Sequence, residues 1–315
     1  MEKLRIIFMG TPDFAVGILD AIQQSNHEIV GVITAPDKPS GRGLKLSTSA
    51  VKEYAVSKGL NVLQPTNLKS EDFLEELKQL NANLQVVVAF RMLPKVVWDM
   101  PKYGTFNLHA SLLPEYRGAA PINWVIINGE TKSGVSTFYI DDKIDTGAVI
   151  LSKETSISNT ENMGDLHDKL MNLGKIAVIE TLDLIINNNV LPQIQIENKN
   201  LKTAYKLNKE NCKINWNESG ISIYNLIRGL SPYPAAWSII KDNLQEWNVK
   251  IYESEFELKA HNQLIGKVET TKKEIYVYTK DGVLKIKSLQ FPGKKRMQAH
   301  ELLNGIAFSE VAQFI

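Results

Sequence analysis

An amide and an imidazole stand two residues apart in Phe106-Asn107-Leu108-His109, just before the turn-rich run Ala110-Ser111-Leu112-Leu113-Pro114-Glu115-Tyr116-Arg117-Gly118. Alternate residues of an extended strand share a face. Asn107 and His109 therefore point into one space, while Phe106 and Leu108 face the opposite layer. A separate segment, Ile144-Asp145-Thr146-Gly147, supplies an acid. Acyl transfer to an amine needs this set of groups. Attack on the acyl carbon builds an oxyanion that requires preorganised donors; the attacking nitrogen must lose a proton and the leaving nitrogen must gain one. Taken singly, each residue has a plainer reading. His109 alone reads as a buried, hydrogen-bonded structural histidine, Asn107 as a strand-end turn former, and Asp145 as an Asx turn into Thr146-Gly147. Their combination is what reads as a site.

The elements that must carry these residues follow from hydrophobic periodicity. Residues 4–9 form a short apolar run ending at Gly10, and Thr11-Pro12 then reads as a helix cap and first helical residue. Residues 28–34 and 84–90 read as further strands, with Val86-Val87-Val88 continuous in the manner of a parallel strand buried on both faces. Residues 71–80 carry Phe73, Leu74, Leu77 and Leu80 at helical spacing. Strands alternating with helices predict a Rossmann-like, doubly wound α/β domain with ligands at the carboxyl ends of its strands, where Asn107 and His109 fall. Residues 187–202 are polar, asparagine-rich and aperiodic, and read as a connector. Beyond it a helix is expected over 219–229 and strands over 249–252, 264–269, 274–279 and 283–289, with Lys280-Asp281-Gly282 as a hairpin turn and a helix over 298–303. Short strands closed by one helix suit a small OB-like β-barrel. The expected division is 1–188, a linker over 189–206, and 207–315.

The 315 residues are 43% hydrophobic and 23% charged, enough for two cores. No uncharged apolar run reaches the roughly 18 residues of a membrane span, and no signal-peptide pattern opens the sequence, so a cytoplasmic location without membrane attachment is expected. The lone Cys212 makes no internal disulfide, in keeping with a reducing compartment. The five histidines are scattered without paired spacing, so no metal site is expected. Gly10-Thr11-Pro12-Asp13 lacks the G-x-G-x-x-G pattern, so no nucleotide cofactor is expected either. The net charge of +1 hides an asymmetry: residues 1–200 carry 19 Lys+Arg against 23 Asp+Glu, and residues 201–315 carry 17 against 12. A basic second part fits a polyanionic partner, and fits equally a solvated surface. The stretch 34–52, with Gly41, Gly43, Lys38, Arg42, Lys45 and Lys52, reads as a mobile cationic loop.

The N-x-H pair, the S-L-L-P-x-Y-R-G-A-A-P run of 111–121 and the later D-T-G together resemble the 10-formyltetrahydrofolate-dependent formyltransferases. Met9-Gly10-Thr11-Pro12-Asp13-Phe14, residues 34–43 and residues 228–237 extend the likeness over nearly the whole chain, which is similar within that family to the members that formylate methionyl initiator tRNA. The resemblance implies a one-carbon group transferase of translation initiation, with 10-formyltetrahydrofolate as co-substrate. It implies that Asn107 donates to the formyl oxygen, that His109 shares the oxyanion or moves protons, and that Asp145 orients and polarises His109. A carboxylate within hydrogen-bond reach would favour the imidazolium form. Ser111, Leu112, Leu113 and Pro114 match the folate-contacting turn, and Phe90, Met92 and Leu93 a second wall for the pterin. Arg117 either pins the 111–118 loop or is a surface cation. Lys38, Arg42 and Lys45 match the insertion that approaches the acceptor end of tRNA, where RNA is most readily splayed and read; Lys206, Lys209, Lys213, Lys294, Lys295 and Arg296 would extend a phosphate-contacting track. Arg91 and Lys143 depart from the pattern, standing where glycine is usual. If a positive φ is needed at Arg91, strain follows. Two rival readings remain at this level: a formyltransferase acting on a small amine, such as an amino sugar nucleotide or glycinamide ribonucleotide, and a non-catalytic RNA-binding protein. Hydrolysis of the donor to formate is a further possibility.

Overall fold

The computed structural model describes residues 3–40, 45–196 and 200–315, with the side chains of Pro39, Ser40 and Lys45 outside that description. Two compact units result: Met1–Gly118, Ser133–Thr155 and His167–Thr203 form the first, and Ala119–Lys132, Ser156–Leu166 and Ala204–Ile315 the second.

In chain order the elements are β1 (Arg5–Gly10), α1 (Asp13–Gln23), β2 (Glu28–Ile33), β3 (Lys38–Ser40), β4 (Lys45–Ser47), α2 (Ala50–Ser57), β5 (Val62–Leu63), α3 (Glu71–Gln79), β6 (Leu84–Val88), α4 (Lys95–Trp98), β7 (Thr105–His109) and β8 (Arg117–Gly118). Then come α5 (Pro121–Ile127), which belongs to the second unit, β9 (Lys132–Tyr139), β10 (Val149–Ser156) and α6 (Met163–Ile186). The main sheet of the first unit has the order β10-β9-β7-β6-β1-β2-β5. The pairs from β5 to β7 are parallel, and β9 runs antiparallel to β7. The chain winds outward from β1 to β2 and β5, then crosses to β6 on the other side of β1. That reversal makes a switch point between β1 and β6, where the crevice of a doubly wound sheet lies. β7 is the next strand over, so its carboxyl-terminal residues border the crevice.

The sheet folds this way because both of its faces are apolar. Ile7, Met9, Ile33 and Val87 pack on one face with Phe73 and Leu77 of α3 and Val97 of α4. On the other face α1 and α6 approach closely at glycines: a Cβ at Gly174 would lie 2.8 Å from Leu108 Cδ2, and one at Gly17 would lie 2.6 Å from Met171 Sδ. Glu71 and Asp72 in the first turn of α3 complement its positive end.

The second unit holds α7 (Gly220–Leu230), β12 (Ala236–Asp242), β13 (Gln245–Leu258), β14 (Val268–Thr270), β15 (Ile275–Tyr278), β16 (Gly282–Gln290), β17 (Met297–Gln298), α8 (Ala299–Leu303) and β18 (Gln313–Phe314), after the two-residue β11 (Thr203–Ala204). Its strands run β14-β15-β16-β13-β12-β18, all antiparallel. An antiparallel bridge between Lys267 and Gln313, with the Phe314 N–H donating to the Gly266 carbonyl at 2.8 Å, brings the two ends of the sheet together into a nearly closed barrel. β13 shifts register between Ile251 and Ser254, the bulge that lets a 14-residue strand bend around the barrel. Ile223, Ile227 and Leu230 of α7 cap a core that includes Ile240, Ile251, Val277, Ile286 and Phe314.

Candidate active site

β7 delivers its side chains in strict alternation. Leu108 packs toward α6 at Gly174, while Asn107 sits opposite Phe138 and His109 opposite Ser136 on the other face. His109 is 6% exposed. Its Nε2 lies 2.8 Å from the Tyr116 carbonyl, so that nitrogen carries the donated proton. Its Nδ1 lies 3.8 Å from Asp145 Oδ2, too far for a hydrogen bond and close enough for ion pairing with an imidazolium. The Asp145 carboxylate accepts instead from the Gly118 N–H at 2.9 Å. Asp145 holds φ at +55°; the left-handed conformation costs an ordinary residue about 1–2 kcal/mol, and less for Asp or Asn, whose short polar side chains bond locally. Two residues on, Gly147 is obligatory, since a Cβ there would sit 1.6 Å from the Tyr139 carbonyl oxygen. Asn107 Oδ1 is buried without a partner. That oxygen is thus an open acceptor beside a held imidazole.

The 111–118 turn is built from hydrogen bonds that leave its leucines free of polar work. Ser111 Oγ donates to the Glu115 carbonyl at 2.6 Å, and Ser136 Oγ donates to the Ser111 carbonyl at 2.8 Å while accepting from the Leu113 N–H at 3.1 Å. Leu112 fills the space left by Gly134, where a Cβ would lie 2.5 Å from Leu112 Cδ2. Leu112, Leu113 and Pro114 are half-buried. In the second segment Phe90 is half-buried, Met92 is 68% exposed and Leu93 is buried. The strain expected of Arg91 does not arise, because the positive φ (+48°) falls on Ala89. Arg91 instead donates to the carbonyls of Thr66 (3.1 Å) and Pro65, with its guanidinium 5.7 Å from the Phe90 ring. Lys143 likewise has no positive φ: that conformation falls on Asp145, and the Lys143 N–H donates to Asp141 Oδ1 at 3.0 Å.

Arg117 pins its loop rather than facing solvent. Its Nε and Nη2 donate to Gln195 Oε1 at 3.1 and 2.7 Å, and Gln195 Nε2 donates to the carbonyls of Asp145 (3.0 Å) and Gly147 (2.7 Å). Gln195 lies inside the segment that reads as a plain connector. No periodic or motif signal marks it there; only the tertiary course, in which Gln193 and Val149 exchange backbone bonds at 2.8 Å, brings it to the site.

The cations expected to meet tRNA are distributed as follows. Lys38 is exposed, while Arg42 and the side chain of Lys45 lie outside the described residues. Lys52 is paired with Asp37, and this hydrogen bond, with a second from Gln64, holds the Asp37 carboxyl below its ordinary value. In the second unit Lys206, Lys209, Lys213, Lys294 and Lys295 are exposed. Lys209 and Lys213 place their ammonium groups 5.2 and 5.6 Å from the Trp237 ring, and Lys250 sits directly across from Trp237 in the sheet. Arg296 is engaged by Glu253, by Ser288 Oγ at 2.8 Å and by the face of Tyr252 at 4.7 Å. Among the described residues no helix is long and apolar enough to cross a membrane, and no group of three or more His, Cys, Asp or Glu side chains is placed to hold a metal ion.

Residues 3–182 match the formyl transferase family, and residues 206–307 match the formyl transferase C-terminal domain. A methionyl-tRNA formyltransferase of Flavobacterium johnsoniae is 66% identical over 313 residues, spanning 99% of each chain. The chain belongs to the methionyl-tRNA formyltransferase family. A second member, from Parabacteroides distasonis, is 51% identical over 320 residues, spanning 99% of this chain and 98% of that one. Among solved structures, an N-formyltransferase from Helicobacter canadensis in complex with folinic acid and dTDP-3-aminofucose shares the fold, with a TM-score of 0.66 and 24% identity over 93% of this chain and 100% of the other. HypX from Aquifex aeolicus in complex with tetrahydrofolic acid shares it too, with a TM-score of 0.65 and 15% identity over 96% of this chain and 47% of the other. The family uses a formyl-tetrahydrofolate donor.

Proposed function

We propose that the protein transfers the formyl group of 10-formyltetrahydrofolate to the α-amino group of methionine esterified to initiator tRNA. The convergence of Asn107, His109 and Asp145 at the carboxyl end of β7, in a chain 66% identical to a methionyl-tRNA formyltransferase over its length, carries the reading. The donor supplies an activated one-carbon acyl group. Asn107 offers its free carboxamide N–H to the formyl oxygen as negative charge builds there, a contact stronger in the transition state than in the ground state. His109, fixed by the Tyr116 carbonyl, takes the proton released as the amine nitrogen bonds the formyl carbon and returns one to the departing folate nitrogen. Asp145 offsets the positive charge on His109 while it holds that proton. The half-buried Leu112, Leu113 and Pro114, with Phe90, Met92 and Leu93, supply an apolar lining suited to a flat pterin ring.

In this reading residues 1–188 perform catalysis, 189–206 connect, and 207–315 hold the tRNA backbone through Lys209, Lys294, Lys295 and Arg296, together with Lys206 at the end of the connector and Lys38, Arg42 and Lys45 of the first unit. The test is a formyl-transfer assay with the donor fixed and the acceptor varied among initiator Met-tRNA, elongator Met-tRNA and small amines. Preference for the initiator is expected; equal turnover of a small amine would overturn the proposed acceptor.

A further inference from the structure

The side chain of Gln195 is 9% exposed, and all four hydrogen-bonding positions of its carboxamide are used. The carbonyl oxygen takes two N–H groups of Arg117. The amide nitrogen gives one hydrogen to the Asp145 carbonyl and one to the Gly147 carbonyl. Few substitutes can do this, because the position requires a double acceptor at one end and a double donor at the other. The residues it joins are those that set the catalytic geometry. Tyr116, one residue before Arg117, holds His109 Nε2; Gly118, one residue after, holds the Asp145 carboxylate. Asp145 is in the left-handed conformation and relies on its surroundings to stay there.

We propose that Gln195 is a positioning residue for the transfer step: it locks the Asp145–Gly147 turn against the Tyr116–Gly118 loop, so that the Asp145 carboxylate faces His109 Nδ1. The inference rests on the formyl-transfer reading above. It touches neither substrate nor reacting atoms, and acts through Asp145. Without it the 3.8 Å separation between Asp145 Oδ2 and His109 Nδ1 is no longer fixed from the Asp145 side, and displacements on the order of 1 Å cost about 100-fold in rate where geometry is pre-set.

The experiment is a double-mutant cycle in the full chain with Gln195→Met and Asp145→Asn, read as kcat and KM for Met-tRNA and for the folate donor. Gln195→Met should lower kcat roughly 10- to 100-fold and leave both KM values within about threefold. In the Asp145→Asn background the same change should cost no more than about threefold, since the residue it serves has lost its charge. Equal costs in both backgrounds would reduce Gln195 to a general structural role and overturn the proposal, as would a near-normal kcat for Gln195→Met. Should that variant not fold, Gln195→Glu keeps the size and the Arg117 contacts while removing the two donors, and the same cycle and the same outcomes apply. Near-normal turnover by Asp145→Asn alone would count against the catalytic reading itself, so the two failures are distinguishable.

Discussion

Replacing Asp145 with asparagine removes one charge and little else, which makes the expected loss calculable. Asparagine tolerates the left-handed backbone that residue 145 adopts, with φ of +55°, and its amide oxygen can still accept from the Gly118 N–H that Asp145 engages at 2.9 Å. What disappears is the attraction between the carboxylate and the charge His109 acquires while it carries the amine's proton. The separation is 3.8 Å, and the two side chains are 7% and 13% exposed. At an effective dielectric constant of 20, unit charges at that distance attract by about 4 kcal/mol. Residual solvent access and the dipole left by the amide reduce this to about 3 kcal/mol, or roughly 100- to 1,000-fold in rate. The loss should appear in kcat, because in the proposed mechanism His109 takes up the amine's proton in the transfer step, with little change in KM for either substrate. Single-turnover formylation of Met-tRNA at saturating donor measures it, alongside thermal unfolding to show that the fold is intact. A loss smaller than about fivefold in a folded variant would refute the assignment of that charge to His109.

Three other outcomes are expected. Asn107→Leu should lower turnover about 100-fold or more by removing the oxyanion donor, while leaving the melting temperature unchanged or slightly raised, because the buried Oδ1 without a partner goes with it; a marked drop in stability would show that the amide is structural. Gly134→Ala should destabilise by about 1–3 kcal/mol through overpacking and weaken binding of a folate analogue, since the added methyl displaces Leu112 and meets the Lys153 carbonyl at 2.1 Å; unaltered folate affinity would separate Leu112 from the donor site. The Asp37 carboxyl is held low chiefly by its hydrogen bond from Lys52, then by Gln64, so the stabilisation is present above the ordinary carboxylate value near 4 and is lost as pH falls through the depressed one. Proteolysis near residues 34–52 with an acid-active protease should therefore rise in that window, and Asp37→Asn should abolish the pH step.

The strand carrying the site was legible because its period is two: Asn107 and His109 alternate with Phe106 and Leu108, and the structure keeps that alternation against Ser136 and Phe138 on one side and Gly174 on the other. The buried run of β6 was equally plain, although the strand ends at Val88 rather than at 90, where Ala89 turns left-handed. Local pattern failed where a conformation moved by a residue or two. Arg91 and Lys143 stand where glycine is usual, with strain expected at Arg91 if a positive φ were needed there; the chain puts its positive φ at Ala89 and Asp145. The expected strand over 249–252 is part of a 14-residue strand, whose outer face is so rich in glutamate that only its buried core segment read as β. Gln195 was invisible for a different reason. Its partners are 48, 50 and 78 positions away, and nothing in an asparagine-rich connector records so distant a fourfold bond.

The nearly closed barrel has a consequence in time as well as in space. β18 completes the ring, pairing with β12 on one side and meeting Gly266 and Lys267 on the other. A ribosome delivers residues in order, so every other strand of the barrel emerges before Gln313 and Phe314 do. Until then β12 and the 266–268 segment present unpaired backbone groups, the kind of edge on which neighbouring nascent chains add strands. The two residues that close the ring thus cover both edges at once, and chains shortened just before them would keep most of the core yet leave both edges open.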